Sequence, residues 1–307
     1  MRITKAMVMT MGLLLTCLSL TSTARADGAR SYISPSGSDN RPCSRNQPCR
    51  TFDGALAKTD AGGEIVALES GTYEPTTIAK AITLAAAPGA DVAIRAASGN
   101  AVRITANVGD TIVLRGLRLM GPGKNTAGTN GVLLDIESPN CCVFVLLENC
   151  IVTDFDKGVH IDVGVASTLI VSDTVFRSNK TGVNFSVGGV ESMGASFTRS
   201  RFERNEVGLN THTGNSVTVS NSAVHGNGVG LQADPGGKLD IVDTTITKNG
   251  TGVQSNGVVR LASCSVVGNG HGITIQGGTV ASMGNNMIIN NDVDIAGAQN
   301  FVTFFPK

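Results

Sequence analysis

The chain has 307 residues with 24 basic and 24 acidic side chains, a formal charge of zero, and only 16% charged residues beside 38 glycines. That balance leaves no electrostatic footprint for nucleic acid or for an anionic membrane surface. Tryptophan is absent and tyrosine occurs twice, which excludes stacking of pyranose rings on indoles.

Residues 1–26 read as an export signal. Arg2 and Lys5 supply a positive start, 6–20 an apolar stretch, and Ala24-Arg25-Ala26 a small-x-small cleavage pattern. The stretch is short for a membrane span, and Thr16 before Cys17 does not suit a lipoprotein signal. Cleavage after Ala26 is expected, giving a secreted or periplasmic protein. The leader holds Arg2, Lys5 and Arg25 and no acid, so the remainder carries three more acids than bases.

Residues 27–60 read as an N-terminal cap. Five residues separate Cys43 from Cys49, and in an exported chain that spacing predicts a local disulfide. The segment 51–58 predicts a short amphipathic helix with Phe52, Ala55 and Leu56 on one face, suited to covering the open end of a stack of strands. Strand-like runs follow at 64–68, 71–73, 82–84, 92–94 and 102–104. The loop 121–128 is glycine-rich, but no helix or Lys-Ser/Thr pair follows it, which argues against a phosphate loop.

From there a repeat takes over. Gly131, Gly158, Gly182, Gly208, Gly230, Gly252 and Gly272 are each followed by an aliphatic residue, at spacings of 27, 24, 26, 22, 22 and 20. A drifting period of 20 or more residues suits coils joined by loops of variable length. Asn179, Asn205, Asn227, Asn249 and Asn269 stand three residues before five of the glycines. At a bend between strands, Asn tolerates the left-handed region and can bond the next Asn along a stack, and glycine permits the close, unusual backbone that follows. Apolar columns recur six, eleven and thirteen residues before the glycine and one after it, for example Phe176, Val171, Leu169 and Val183 around Gly182. Each repeat therefore offers about three short strands, and stacking the repeats buries a continuous core. A column of small residues, Cys150, Thr174, Ser200, Ser222, Thr244 and Cys264, shares one interior register. Cys150 and Cys264 lie five coils apart, roughly 24 Å at about 4.8 Å per coil, too far for a disulfide. Cys141 and Cys142 read as packed or loop thiols rather than metal ligands, and His225 and His271 as solvated turn residues. The sequons at Asn179 and Asn249 coincide with the asparagine column.

Residues two and four after each glycine should point outward. The first set is Leu133, His160, Asn184, Asn210, Gln232, Gln254 and Thr274; the second is Asp135, Asp162, Ser186, His212, Asp234, Asn256 and Gln276. They form a polar ribbon about 30 Å long at about 4.8 Å per coil. Two readings stay open, a solvated face with amide ladders and a groove in which Asn184, Asn210, Gln232, Asp234, Gln254, Asn256 and Gln276 bind an extended polysaccharide. Asp135 and Asp162 fall on adjacent coils about 5 Å apart, with His160 and Lys157 beside them. Like charges that close favour a proton or a divalent cation such as calcium between them. His212 lies two coils further along, and Asp234 is isolated from Asp162.

These columns have the pattern of a right-handed parallel β-helix, and the chain resembles the pectate-lyase-like superfamily of secreted β-helix proteins. The resemblance implies an all-β solenoid of roughly nine or ten coils in a single domain over 27–307, with a short N-terminal capping helix, coils over 61–295 and a tail over 296–307 after a less regular last coil. The superfamily hosts lyases, hydrolases, epimerases, tailspikes and non-catalytic proteins, so the fold does not choose the activity. In β-helix alginate epimerases and related lyases, the corresponding strand carries Gly, an aliphatic residue, Asp, Pro, His. Here Gly158-Val159-His160-Ile161-Asp162 holds the same two chemical groups in reversed order without the proline, and Lys157 stands where those enzymes place tyrosine. The resemblance implies that His160 or His212 removes the α-proton of a uronate whose carboxylate is neutralised by Lys157 or a cation. The leading expectation is an exported protein that engages a polysaccharide, acidic ones included; a uronate lyase or epimerase and a non-catalytic structural or adhesive surface protein are the alternatives.

Overall fold

The computed structural model describes residues 28–136, 142–163, 167–186 and 193–304; the leader and Cys141 lie outside them. The chain winds into three sheets of twelve, ten and ten strands, and each strand inside a sheet pairs with its counterparts one coil before and after. In a representative coil, Phe144–Glu148 lies in the first sheet, Ile151–Thr153 in the third and Lys157–Val163 in the second. Pairing is parallel and residue on residue, as in Val145↔Leu169, Val152↔Phe176 and Val159↔Val183. The result is a parallel β-helix of about ten turns. Alternation sends Val145, Leu147, Val152, Val159 and Ile161 into the interior, where each is buried. Along the stack Phe176 and Phe202 lie ring on ring at 5.3 Å, with Phe197 packed against both.

The repeat glycines owe their identity to crowding, not to a left-handed backbone. None has a positive φ. A Cβ added to each of the seven would sit 2.3 to 2.7 Å from a backbone carbonyl oxygen of the next coil, such as Gly208 O for Gly182, closer than any side chain tolerates. The asparagine column differs from expectation in the same way. The residue before each asparagine takes the left-handed turn: Ser178, Arg204, Gly226, Lys248 and Gly268, at φ between 56° and 69°. The asparagines themselves are buried and act through their amides. Asn205 Nδ2 donates to Phe176 O and to Asn227 Oδ1, while its own Oδ1 accepts from Asn179 N and Nδ2. Asn227, Asn249, Asn269 and Asn291 continue the ladder. At the turn between the first and third sheets, Thr174, Ser200, Ser222 and Thr244 are buried, and Cys150 and Cys264 occupy the same column as buried free thiols. Burial pushes the Cys150 thiol up to about 11.

At the start, Arg30–Ile33 forms the edge strand of the first sheet. Cys43 and Cys49 are disulfide-bonded with Cα atoms 4.6 Å apart. The helix is a single turn, Phe52–Leu56, begun by Thr51, whose hydroxyl accepts from Gly54 N, and Phe52 packs on Tyr73 with ring centroids 5.6 Å apart. Cys142 is disulfide-bonded, so it is not the thiol the sequence suggested. The winding runs on past residue 295. Met287–Ile289, Val293–Ala296 and Phe301–Thr303 each add a strand to one of the sheets. Among the described residues no helix is long and apolar enough to cross a membrane.

Candidate functional site

The second sheet carries the ribbon. Its strands place Leu133, His160, Asn184, Asn210, Gln232, Gln254 and Thr274 in one paired column, and all seven are partly exposed while their sequence neighbours Val132, Val159 and Val183 are buried. The outer face of the first sheet contrasts with it, carrying Val113, Leu146 and Ile170 in register. The amides of the ribbon bond along the stack and with each other; Gln254 Nε2 donates to Gln276 Oε1 at 3.3 Å.

At one end of the ribbon Asp135 and Asp162 are register partners, as their spacing predicts. The positive charge that this spacing asks for comes from a residue the repeat did not flag. Arg103 is the column neighbour of Leu133, and its Nε donates to Asp135 Oδ2 at 2.8 Å, with Nη2 bonded to the same oxygen. Ala101 occupies the position of the repeat glycine there, so the glycines gave no marker for this coil. The only available signal was the Val102-Arg103-Ile104 alternation. Calcium takes six to eight oxygen ligands, whereas Asp135 is held by Arg103. Among the described residues no group of three or more His, Cys, Asp or Glu side chains is placed to hold a metal ion, so this corner does not fit a calcium site. Asp162 is exposed and makes no hydrogen bond or ion pair among the described residues.

His160 stands between Lys157 Nζ, 3.3 Å from its Nε2, and the Asn184 amide, 3.2 Å from its Nδ1. The Lys157 ammonium and the Asn184 Nδ2 amino group both donate, and a neutral ring has one acceptor nitrogen, so it can accept from only one of them at a time. Burial, and next the Lys157 charge, lower the imidazole's proton affinity below that of an ordinary histidine. Both effects favour the uncharged ring.

His212 belongs to a second cluster. Its Nε2 lies 3.2 Å from Asp234 Oδ2 and 3.0 Å from the Asn210 amide, and Asp234 Oδ1 accepts from Gln232 Nε2 at 2.8 Å and from Asn256 Nδ2 at 3.4 Å. Asp234 is thus isolated from Asp162 but not alone, and the structure divides the two histidines between separate partners. His225 is not a turn residue. It ends the third-sheet strand Ala223–His225, where its Nε2 meets Glu203 Oε2 at 3.1 Å.

The family described as "Right handed beta helix region" matches residues 139–297. The chain belongs to this family. This right-handed β-helix has the pectate-lyase-like fold, and solved structures share it at low identity. XylC in complex with xylose aligns with a TM-score of 0.64 at 10% identity, over 83% of this chain and 68% of that one. The alginate lyase of Paenibacillus sp. FPU-7 gives 0.62 at 15%, over 89% and 99%, and the pectate lyase Pel9A gives 0.51 at 16%, over 89% and 74%. No curated protein sequence matches the chain.

Proposed function

We propose that this β-helix is exported after loss of residues 1–26, to the periplasm or beyond, and engages a polysaccharide along the outer face of its second sheet, with the short helix Phe52–Leu56 closing the first coil. The observation that carries this reading is the paired column His160, Asn184, Asn210, Gln232 and Gln254, one amide or imidazole per coil over five successive coils. Sugar hydroxyls both donate and accept, and so do amides. Asp234, Asn256 and Gln276 extend the contact surface on the neighbouring column. Relatives of the fold whose names include alginate lyase and pectate lyase, and one bound to xylose, support the substrate class by analogy.

A second reading, a uronate lyase or C5-epimerase, is favoured by His160 beside Lys157, in surroundings that favour its uncharged ring. In it the Lys157 ammonium moves onto the substrate carboxylate, which acidifies the α-proton and frees Nε2 to accept. His160 takes that proton. Departure of the C4 oxygen with its bonding pair leaves an unsaturated end, and returning a proton from the opposite face instead inverts C5. His212, in its own cluster with Asp234, is the alternative base. Asp162 and the Arg103–Asp135 pair set the charge of the corner.

One panel separates the readings. The protein lacking residues 1–26 is incubated with alginate, polygalacturonate and neutral glycans, while new unsaturated ends, solvent deuterium at C5 and retention on immobilised polymer are followed. Chemistry that disappears in H160A and D162N favours the enzyme; retention without chemistry, weakened in N184A and Q232A, favours binding alone. No retention on any polymer sinks both and leaves a structural or adhesive role.

A further inference from the structure

The loop 121–128, set aside above as a phosphate loop, builds something else. It leaves the third sheet after Met120 and folds over the turns that join the third sheet to the second. Gly121 N and Gly123 N donate to Thr153 O and Asp154 O of the next coil, and Gly128 N donates to Asp156 Oδ2 at 3.2 Å. Further along the stack Lys124 Nζ meets Glu206 Oε1 at 3.3 Å. The loop is thus tied to the turns at both ends, and between it and them runs a groove of about 520 Å³, within the size range of small-molecule sites.

Three successive coils supply its floor. Asp154, Ser178 and Arg204 occupy the equivalent turn position and all take the left-handed conformation, at φ of 66°, 56° and 56°, which projects their side chains from the same edge. The loop supplies Lys124, Asn125 and Thr126. Arg204 is exposed, and no ion pair neutralises it among the described residues; Asp154 Oδ2 accepts from Thr153 Oγ1 at 2.9 Å and keeps its other oxygen available. The lining therefore offers an unpaired guanidinium, an ammonium paired with Glu206 in an exposed ion pair, two hydroxyls, an amide and one carboxylate acceptor. A bare phosphate would want donors alone and would be repelled by Asp154. A neutral sugar would leave Arg204 unused. The geometry points to a binding site for an acidic sugar, whose carboxylate pairs with Arg204 and takes Lys124 from its exposed ion pair with Glu206, and whose ring hydroxyls are divided between Asp154 and the Ser178, Thr126 and Asn125 side chains. This site lies on the turn edge of the solenoid, separate from His160, Asn184 and the rest of the outward column, and does not depend on the ribbon reading.

The test is calorimetric titration of the protein lacking residues 1–26 with a short uronate oligosaccharide, with the matching neutral oligosaccharide and inorganic phosphate as separate arms. Uronate binding is expected, weakened about tenfold or more in Arg204→Gln and unchanged in Ile170→Thr, on the exposed outer face of the first sheet and outside both this groove and the ribbon. Ser178→Gly, which suits the left-handed turn and should fold, is expected to weaken it less. Any heat from the two comparison ligands should be the same in Arg204→Gln as in the unaltered protein. The inference is overturned if uronate does not bind, if Arg204→Gln leaves its binding intact, or if Arg204→Gln weakens binding of phosphate or the neutral sugar equally. Should Arg204→Gln unfold, Lys124→Met, on the exposed loop, replaces it with the same expected direction.

Discussion

Arg103 holds Asp135 from the coil below while Asp162 faces Asp135 from the coil above. One guanidinium thus answers for a pair of stacked carboxylates, and the charge at that end of the ribbon is set by three successive coils. Because Arg103 is about half exposed, the pair contributes little to stability: R103Q should cost no more than about 1 kcal/mol in urea unfolding. Its larger effect should be on ligands. Removing the cation leaves two like charges adjacent, so retention of an anionic polymer should fall more than that of a neutral one, and equal loss for both would contradict this account.

The asparagine ladder should be costly to interrupt. Asn205→Ala strands Phe176 O and Asn179 N, both of which lose a buried partner, and takes one of two donors from Asn227 Oδ1, which keeps the backbone N–H of residue 205. At about 1–3 kcal/mol for each unmade buried bond, a loss near 3 kcal/mol is expected in equilibrium unfolding. A loss under about 1 kcal/mol would mean that water enters the ladder.

Glycine substitutions should divide by location rather than by residue type. Gly182→Ala drives a methyl to 2.4 Å from Gly208 O, and backbone cannot yield, so a destabilisation of about 3 kcal/mol or more is expected. Gly194→Ala meets nothing within 4 Å and has no positive φ; it should be neutral or stabilise by up to about 1 kcal/mol through the unfolded chain. Thermal melts of the two variants side by side check the contrast.

For His160 the pH dependence has a definite sign. The folded imidazole binds its proton less readily than the unfolded one, chiefly because it is buried and then because Lys157 is charged. Stability is therefore unaffected above the unfolded value near 6.5 and declines as pH falls from there toward the lower folded value. NMR titration should place His160 below the ordinary histidine value, and K157M should raise it. A shift in the opposite direction would remove Lys157 from the histidine's surroundings. If His160 is a catalytic base, activity should persist to lower pH than an ordinary histidine allows.

Periodicity made much of this protein legible before any coordinates. A two-residue alternation repeated every 20 to 27 residues has one economical packing, because strands too short to hold a sheet must stack, and the glycine positions fix which side chains share a column. That was enough to set His160 beside Asn184 and Asp135 beside Asp162. It also anticipated the asparagine ladder and a close backbone at the glycines, but not which atom crowds each glycine or which residue takes the left-handed turn. The glycines avoid a carbonyl on another coil, and the left-handed strain falls one residue before each asparagine; both depend on the distance between coils, which no single repeat contains. Nor could it find Arg103, Glu203 against His225, or the groove beneath Lys124. Those contacts join side chains on different coils through their reach and orientation, including coils without the marker glycine, and a loop of variable length carries no period. The sequence determined the columns; the stacking decided which members of neighbouring columns touch, and hence where charge, hydrogen bonds and open space are left for a ligand.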